Sequence, residues 1–211
     1  MEHKISMRGQ TSENMDIDAQ SIPGLKSDTT TSKQIRCGKI DLGCGSKKQK
    51  GFIGFDKYKF PGVNHVVDLT LPWPIKSGCV SEAFSSHFIE HLDAIERIHF
   101  VNELYRVLQP KAKCTLQMPH WSSCRAYGDP THKWPPMAEM WFYYLSREWR
   151  ADNAPHTDQK YWDLGFNCDF DVTWGYAVNG TFASRSQEAQ QFALGHYREA
   201  IMDMQATLIR K

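Results

Sequence analysis

The spacing of apolar positions along this chain changes character twice. Residues 1–33 are rich in Ser, Thr, Asp and Gln and hold few apolar side chains beyond Ile17, Ile22 and Leu25. Such a stretch buries too little apolar surface to offset the entropy of ordering it, which predicts a flexible polar arm ahead of a domain over 34–211. From Ile35 onward, short apolar runs bounded by Gly, Pro or polar residues predict strands at 36–41, 52–56, 65–68, 80–85 and 113–118. Between the last two, Asp93 with Glu96 three residues on forms a capping box, and Ile95, Ile98, Val101, Leu104 and Leu108 make a stripe at helical spacing that Pro110 ends. Strands alternating with a helix predict a parallel α/β sheet.

After Pro119 the periodicity is lost. Residues 120–163 are crowded with Trp, Tyr, His and Pro, as expected of an inserted segment or lid and not of another strand-helix repeat. Alternation then returns: Phe170, Val172, Trp174 and Tyr176, and later Met202, Met204, Ala206 and Leu208, predict two strands pairing antiparallel, joined through a helix at about 186–198.

Composition narrows the class. A chain of 211 residues with 41% apolar content supports about one domain, and 25 basic against 24 acidic residues predict no broad attraction to nucleic acid or anionic lipid. No run approaches the roughly 20 apolar residues of a membrane span, and the first ten residues lack the apolar core of a signal peptide, so a cytoplasmic location is expected. The six cysteines are scattered, without CxxC pairs, and reduced thiols are expected.

The candidate chemistry concentrates after the first strand. Gly43 and Gly45 supply a turn whose backbone can approach a ligand, and the second strand closes on Asp56. Lys48 occupies the third glycine position of the nicotinamide fingerprint, which disfavours a dehydrogenase. Five spaced runs, Lys39-Ile40-Asp41-Leu42-Gly43-Cys44-Gly45, Asp56, Asp68-Leu69-Thr70-Leu71-Pro72-Trp73, Ser85-Ser86-His87-Phe88-Ile89-Glu90-His91-Leu92 and Glu103-Leu104-Tyr105-Arg106, resemble in order the motifs of class I S-adenosylmethionine-dependent methyltransferases. The match covers about 35–119. The resemblance implies a Rossmann-like seven-stranded, mostly parallel sheet with an antiparallel C-terminal hairpin.

It also implies S-adenosylmethionine as cofactor, with S-adenosylhomocysteine as product. The turn of Asp41, Gly43, Cys44 and Gly45 would pass beneath the methionine and ribose, Asp56 with Lys57 beside it would meet the ribose, Asp68 and Leu69 the adenine, and Ser86 and His87 the reacting end. One departure stands out: only ten residues, 42–51, join the first two strands, so the first crossover helix is expected to be short or absent. A run Asp129-Pro130-Thr131-His132 resembles a subgroup of small methyltransferases, and His120, His132 and Asp129 are the candidate catalytic groups beside the acceptor. His87 and His91 stand four apart with Glu90 between them, yet no third ligand follows at convincing spacing, and no metal is expected. The absence of an Asp/Asn-Pro-Pro-Tyr-like run after the fourth strand makes nucleic acid an unexpected acceptor. Methyl transfer to a small molecule or a saccharide-like acceptor is the expectation, the alternative being a methyltransferase-like protein that binds cofactor or a protein partner without turnover.

Overall fold

The computed structural model describes residues 38–153 and 165–211. The expectations for the arm at 1–33, and for packing of Ile17 to Leu25, lie outside the described residues, as does the end of the inserted segment. Seven strands form one sheet: β1 (Lys39–Leu42), β2 (Ile53–Asp56), β3 (Val63–Val66), β4 (Val80–Ser86), β5 (Leu108–Pro119), β6 (Phe170–Val178) and β7 (Ile201–Arg210), in spatial order 3-2-1-4-5-7-6. The first five run parallel, and β7 is antiparallel to both β5 and β6. Order reverses between β1 and β4, the switch point at which open α/β sheets leave a crevice beyond the carboxyl ends of their strands.

Helix α1 (Ala94–Val107) follows the sequence pattern closely. The Asp93 carboxylate accepts the N–H groups of Ile95 and Glu96, and Glu96 accepts the Asp93 N–H in return at 2.8 Å. Its buried face is Ile98, Phe100, Val101, Leu104 and Val107, together with Arg97. Ile95, expected in that stripe, is exposed in the first turn, and Phe100 takes its place in the core against Trp73 and Phe88. Helix α5 (Gln187–His196) has Ser186 as N-cap and lies between β6 and β7, where a helix was expected.

The connections from β1 to β2 and from β2 to β3 contain no helix, and the second is only residues 57–62. The short first crossover was legible in the spacing. Between β3 and β4 the chain is also without a helix; it buries Trp73 and Ile75 in the core instead. Among the described residues, three short helices, α2 (Arg125–Gly128), α3 (Met140–Tyr143) and α4 (Arg147–Asn153), lie between β5 and β6. Phe142 is buried and stacks on Trp174 of β6, and Tyr143 and Trp149 stack on one another. Phe142, with the partly buried Trp141 and Tyr144, joins the core, whereas Trp121, Tyr127 and Trp134 are exposed. Arg150, buried, donates to the Tyr144 and Cys168 carbonyls and ties α4 to the return strand. Cys44, Cys114, Cys124 and Cys168 are free, whereas Cys79 is disulfide-bonded, a correction to the expectation of reduced thiols throughout: scattered spacing does not reveal which sulfurs the fold brings together.

Candidate active site

The carboxyl ends of β1, β2 and β4 converge on a cleft of about 580 Å³ lined by Gly43, Gly45, Asp56, Asp68, Leu69 and His87, among others. Gly43 and Gly45 both have positive φ, 69° and 50°. They are glycine for different reasons. A Cβ on Gly43 would stand 2.3 Å from the Phe88 ring, whereas a Cβ on Gly45 would meet nothing within 4 Å and would project into open space. The turn is closed by Asp56, whose Oδ2 accepts the Gly45 N–H at 2.8 Å and whose Oδ1 accepts the Tyr58 N–H at 2.9 Å. Each carboxylate oxygen keeps acceptor capacity for a further donor.

Asp41 is 2% exposed and accepts the Gln49 N–H, which holds the polar loop against β1 in place of a helix. Burial raises its carboxyl pKa. Cys44 lies beside Asp41 in a second hollow, of about 520 Å³, that also reaches Ser86 and His87, and burial pushes its thiol up to about 11. Lys57 pairs with Asp68 at 2.9 Å, and Asp68 also receives the N–H and hydroxyl of Thr70. The Thr70 hydroxyl and then the Lys57 ammonium hold the Asp68 carboxyl down at about 2. Asp68 is thus a turn cap that lines the cleft, its oxygens already shared.

His87 lines both of these clefts, and its backbone is at φ 52°, an uncommon conformation for a residue with a side chain. Its Nδ1 is 3.2 Å from Glu90 Oε1, the contact that chiefly raises its pKa. Beyond it opens a third cleft, about 650 Å³, lined by His87, Glu90, His91, Asp129 and His132. His132 Nδ1 donates to the Ala126 carbonyl at 3.3 Å, and its Nε2 is 3.9 Å from Asp129 Oδ2. Asp129 takes both the N–H and the hydroxyl of Thr131, so the run at 129–132 is a capped turn that presents His132.

His120 lies elsewhere. It is 2% exposed and lines none of these three clefts. Its Nδ1 accepts the Ser122 N–H at 3.2 Å, which assigns the ring proton to Nε2, 3.0 Å from Glu139 Oε1. The same oxygen accepts the Tyr176 hydroxyl at 2.9 Å. Both ring nitrogens of His120 are thus committed, where the residue just after β5, the inserted segment and β6 meet. Sequence reasoning passed over His91, which borders both the glycine cleft and the third cleft. Its spacing from His87 was visible; its nearness to His132, with rings 4.8 Å apart, was not.

Among solved structures, an S-adenosylmethionine-dependent methyltransferase from Archaeoglobus fulgidus aligns over 85% of this chain and 89% of its own, at 18% identity and a TM-score of 0.53. The fold is that of the class I methyltransferases. A geranyl diphosphate C-methyltransferase from Streptomyces coelicolor A3(2), solved with Mg2+, geranyl diphosphate and S-adenosylhomocysteine, aligns over 82% of this chain and 73% of its own at 13% identity and a TM-score of 0.46. No protein-family model and no curated protein matches the sequence. No helix among the described residues is long and apolar enough to cross a membrane.

Proposed function

We propose that the protein transfers a methyl group from S-adenosylmethionine to a small-molecule or saccharide-like acceptor. One observation carries this reading: in a sheet of methyltransferase order, the turn at Gly43 and Gly45 and the acid ending β2 close on one another at the switch point. The cleft there suits the cofactor, since the open space at Gly45 is what a Cβ would fill and Asp56 retains lone pairs toward it. Asp56, with Lys57 beside it, would hold the ribose; Asp41, Gly43, Cys44 and Gly45 the methionine part; Asp68 and Leu69 the adenine; Ser86 and His87 the reacting end. The bound cofactor supplies an activated methyl group on a sulfonium.

The protein's part is then to orient the acceptor and receive a proton. Alignment in a shielded site can by itself contribute several kcal/mol. His132 offers the acceptor side a basic atom, because its Nδ1–H is committed to the Ala126 carbonyl and Nε2 keeps its lone pair, with the Asp129 carboxylate nearby. His120 we assign a positioning role through Glu139. The neutral charge balance favours an uncharged acceptor over nucleic acid, and Trp134, 77% exposed two residues after His132, offers a face for stacking.

Calorimetry with S-adenosylmethionine tests the reading. Binding in the micromolar range, about 8 kcal/mol, is expected, and S-adenosylhomocysteine should accumulate when cell extract supplies an acceptor. No heat and no thermal shift at millimolar cofactor would overturn it.

A further inference from the structure

Glu90, His91 and His132 each offer one ligand-type atom, and the three atoms lie within 4.8 Å of one another. Three features of their surroundings prepare these atoms for a cation. First, Glu90 is 4% exposed, and its Oε2 has no hydrogen-bond partner, while Oε1 faces His87. A buried carboxylate oxygen without a donor is costly unless something positive meets it. The nearby Arg97 guanidinium does not, since it donates to the carbonyls of Ile89, Lys133 and Pro135.

Second, the tautomers of both imidazoles are set from behind. The Thr131 hydroxyl gives its only proton to Asp129 Oδ1 at 2.6 Å, so toward His91 Nδ1 at 3.0 Å it can only accept. His132 Nδ1 faces the Ala126 carbonyl, also an acceptor only. Both rings therefore carry the proton on Nδ1 and the lone pair on Nε2, the arrangement in which metal-ligating histidines are held by an outer acceptor. Third, the two chain segments are locked together. The Lys133 N–H donates to the Glu90 carbonyl at 2.9 Å, and Arg97 bridges the backbone before Glu90 to that after His132.

We infer that Glu90, His91 and His132 form a binding site for one divalent transition-metal ion of the zinc class. Two imidazoles with one carboxylate suit Zn2+, Co2+ or Mn2+, whereas Mg2+ and Ca2+ favour all-oxygen sets. Metal–ligand bonds of about 2.0–2.2 Å in a tetrahedral site put donor atoms about 3.3–3.6 Å apart, so side-chain rotation that draws the set together by about an ångström closes it. The third ligand comes from the segment after β5, which is why the spacing of His87, Glu90 and His91 did not reveal it. Three protein ligands leave coordination positions open toward the third cleft, where an acceptor hydroxyl could bind and lose its proton more readily. That use deepens the methyl-transfer reading and gives the His132 lone pair to the ion; the binding site itself does not depend on it.

The test uses the full chain after chelator dialysis, titrated with Zn2+, Mn2+ or Mg2+ alone in competition with a chromophoric chelator. One Zn2+ per chain is expected, Mn2+ weaker, and Mg2+ weaker than Zn2+ by about a hundredfold or more. Zn2+ should raise the melting temperature. Glu90→Gln, nearly isosteric, should lose that rise and bind Zn2+ about tenfold or more weakly, and so should His91→Ala. Should the histidine variant not fold, Glu90→Gln decides alone. Cys124→Ser, which removes the exposed thiol in the same cleft, should bind as the parent does. With Co2+, visible d–d bands without thiolate charge transfer are expected. Absence of stoichiometric Zn2+ binding, binding unchanged in Glu90→Gln, loss in Cys124→Ser, or equal affinity for Mg2+ would each overturn the inference. S-adenosylmethionine binding is measured separately on the same samples, so a failed metal site and a failed methyltransferase give different results.

Discussion

At the scale of residues, Asp56 carries two demands at once. It closes the glycine turn by accepting from Gly45 and Tyr58, and in the proposed complex it also meets the ribose. Asp56→Ala should therefore weaken S-adenosylmethionine by about 1.5–3 kcal/mol, the order of a hydrogen bond to a charged group. Calorimetry on a variant with native circular dichroism checks this; unchanged affinity would separate Asp56 from the ribose. The glycine turn was legible in the sequence because positive φ and close approach leave a compositional mark. The reason for Gly43 was not, since the Phe88 ring that excludes a side chain there arrives from the segment after β4. The same limit applies to the histidines: spacing along one segment exposes neighbours on that segment, and His132 joins His91 only through the fold.

At the scale of elements, the sheet stands with one long crossover helix among the described residues, and the segment between β3 and β4 has to be fastened without one. Arg106 fastens it. Its guanidinium binds the Glu103 carboxylate through Nε and Nη2, both at 2.7 Å, and donates to the carbonyls of Ile75 and Trp73, while Glu103 accepts the Trp73 N–H at 2.8 Å. Glu103 and Arg106 belong to a run that resembles a methyltransferase motif; in the structure their work is to hold a loop where a helix is missing. Arg106→Leu leaves the partly buried Glu103 carboxylate and two carbonyls without their donors. A loss of about 2 kcal/mol or more in urea unfolding is expected, discounted from the 3–5 kcal/mol of a broken buried pair because Arg106 is one-third exposed. A change below about 0.5 kcal/mol would mean that Trp73 and Ile75 hold the segment by apolar packing alone. Strand and helix periodicity made the parallel sheet and the antiparallel hairpin readable. Loops that replace helices have no period, and their fastening had to be seen.

At the scale of the whole molecule, β5, the inserted segment and β6 meet at Glu139, which takes the His120 Nε2–H and the Tyr176 hydroxyl. The His120 hydrogen bond is the main reason the Glu139 carboxyl is pushed down to about 2 from its ordinary 4.5. Between those values the unfolded chain has taken up the proton and the folded one has not, so stability falls as pH falls through this window. The contribution is complete above about 4.5 and gone below about 2. Other lowered carboxyls, Asp68 and Glu103 among them, act in the same direction, and Asp41, raised by burial, acts against it. Glu139→Gln separates the one contribution from the rest. At neutral pH the variant should be less stable than the parent by about 1.5–3 kcal/mol, since a charge-assisted bond becomes a neutral one. That difference should shrink steadily between pH 4.5 and pH 2, read as the gap between urea midpoints of the two proteins. A gap that stays constant across that range would mean that Glu139 joins the three elements by geometry alone and that its charge contributes nothing to their union.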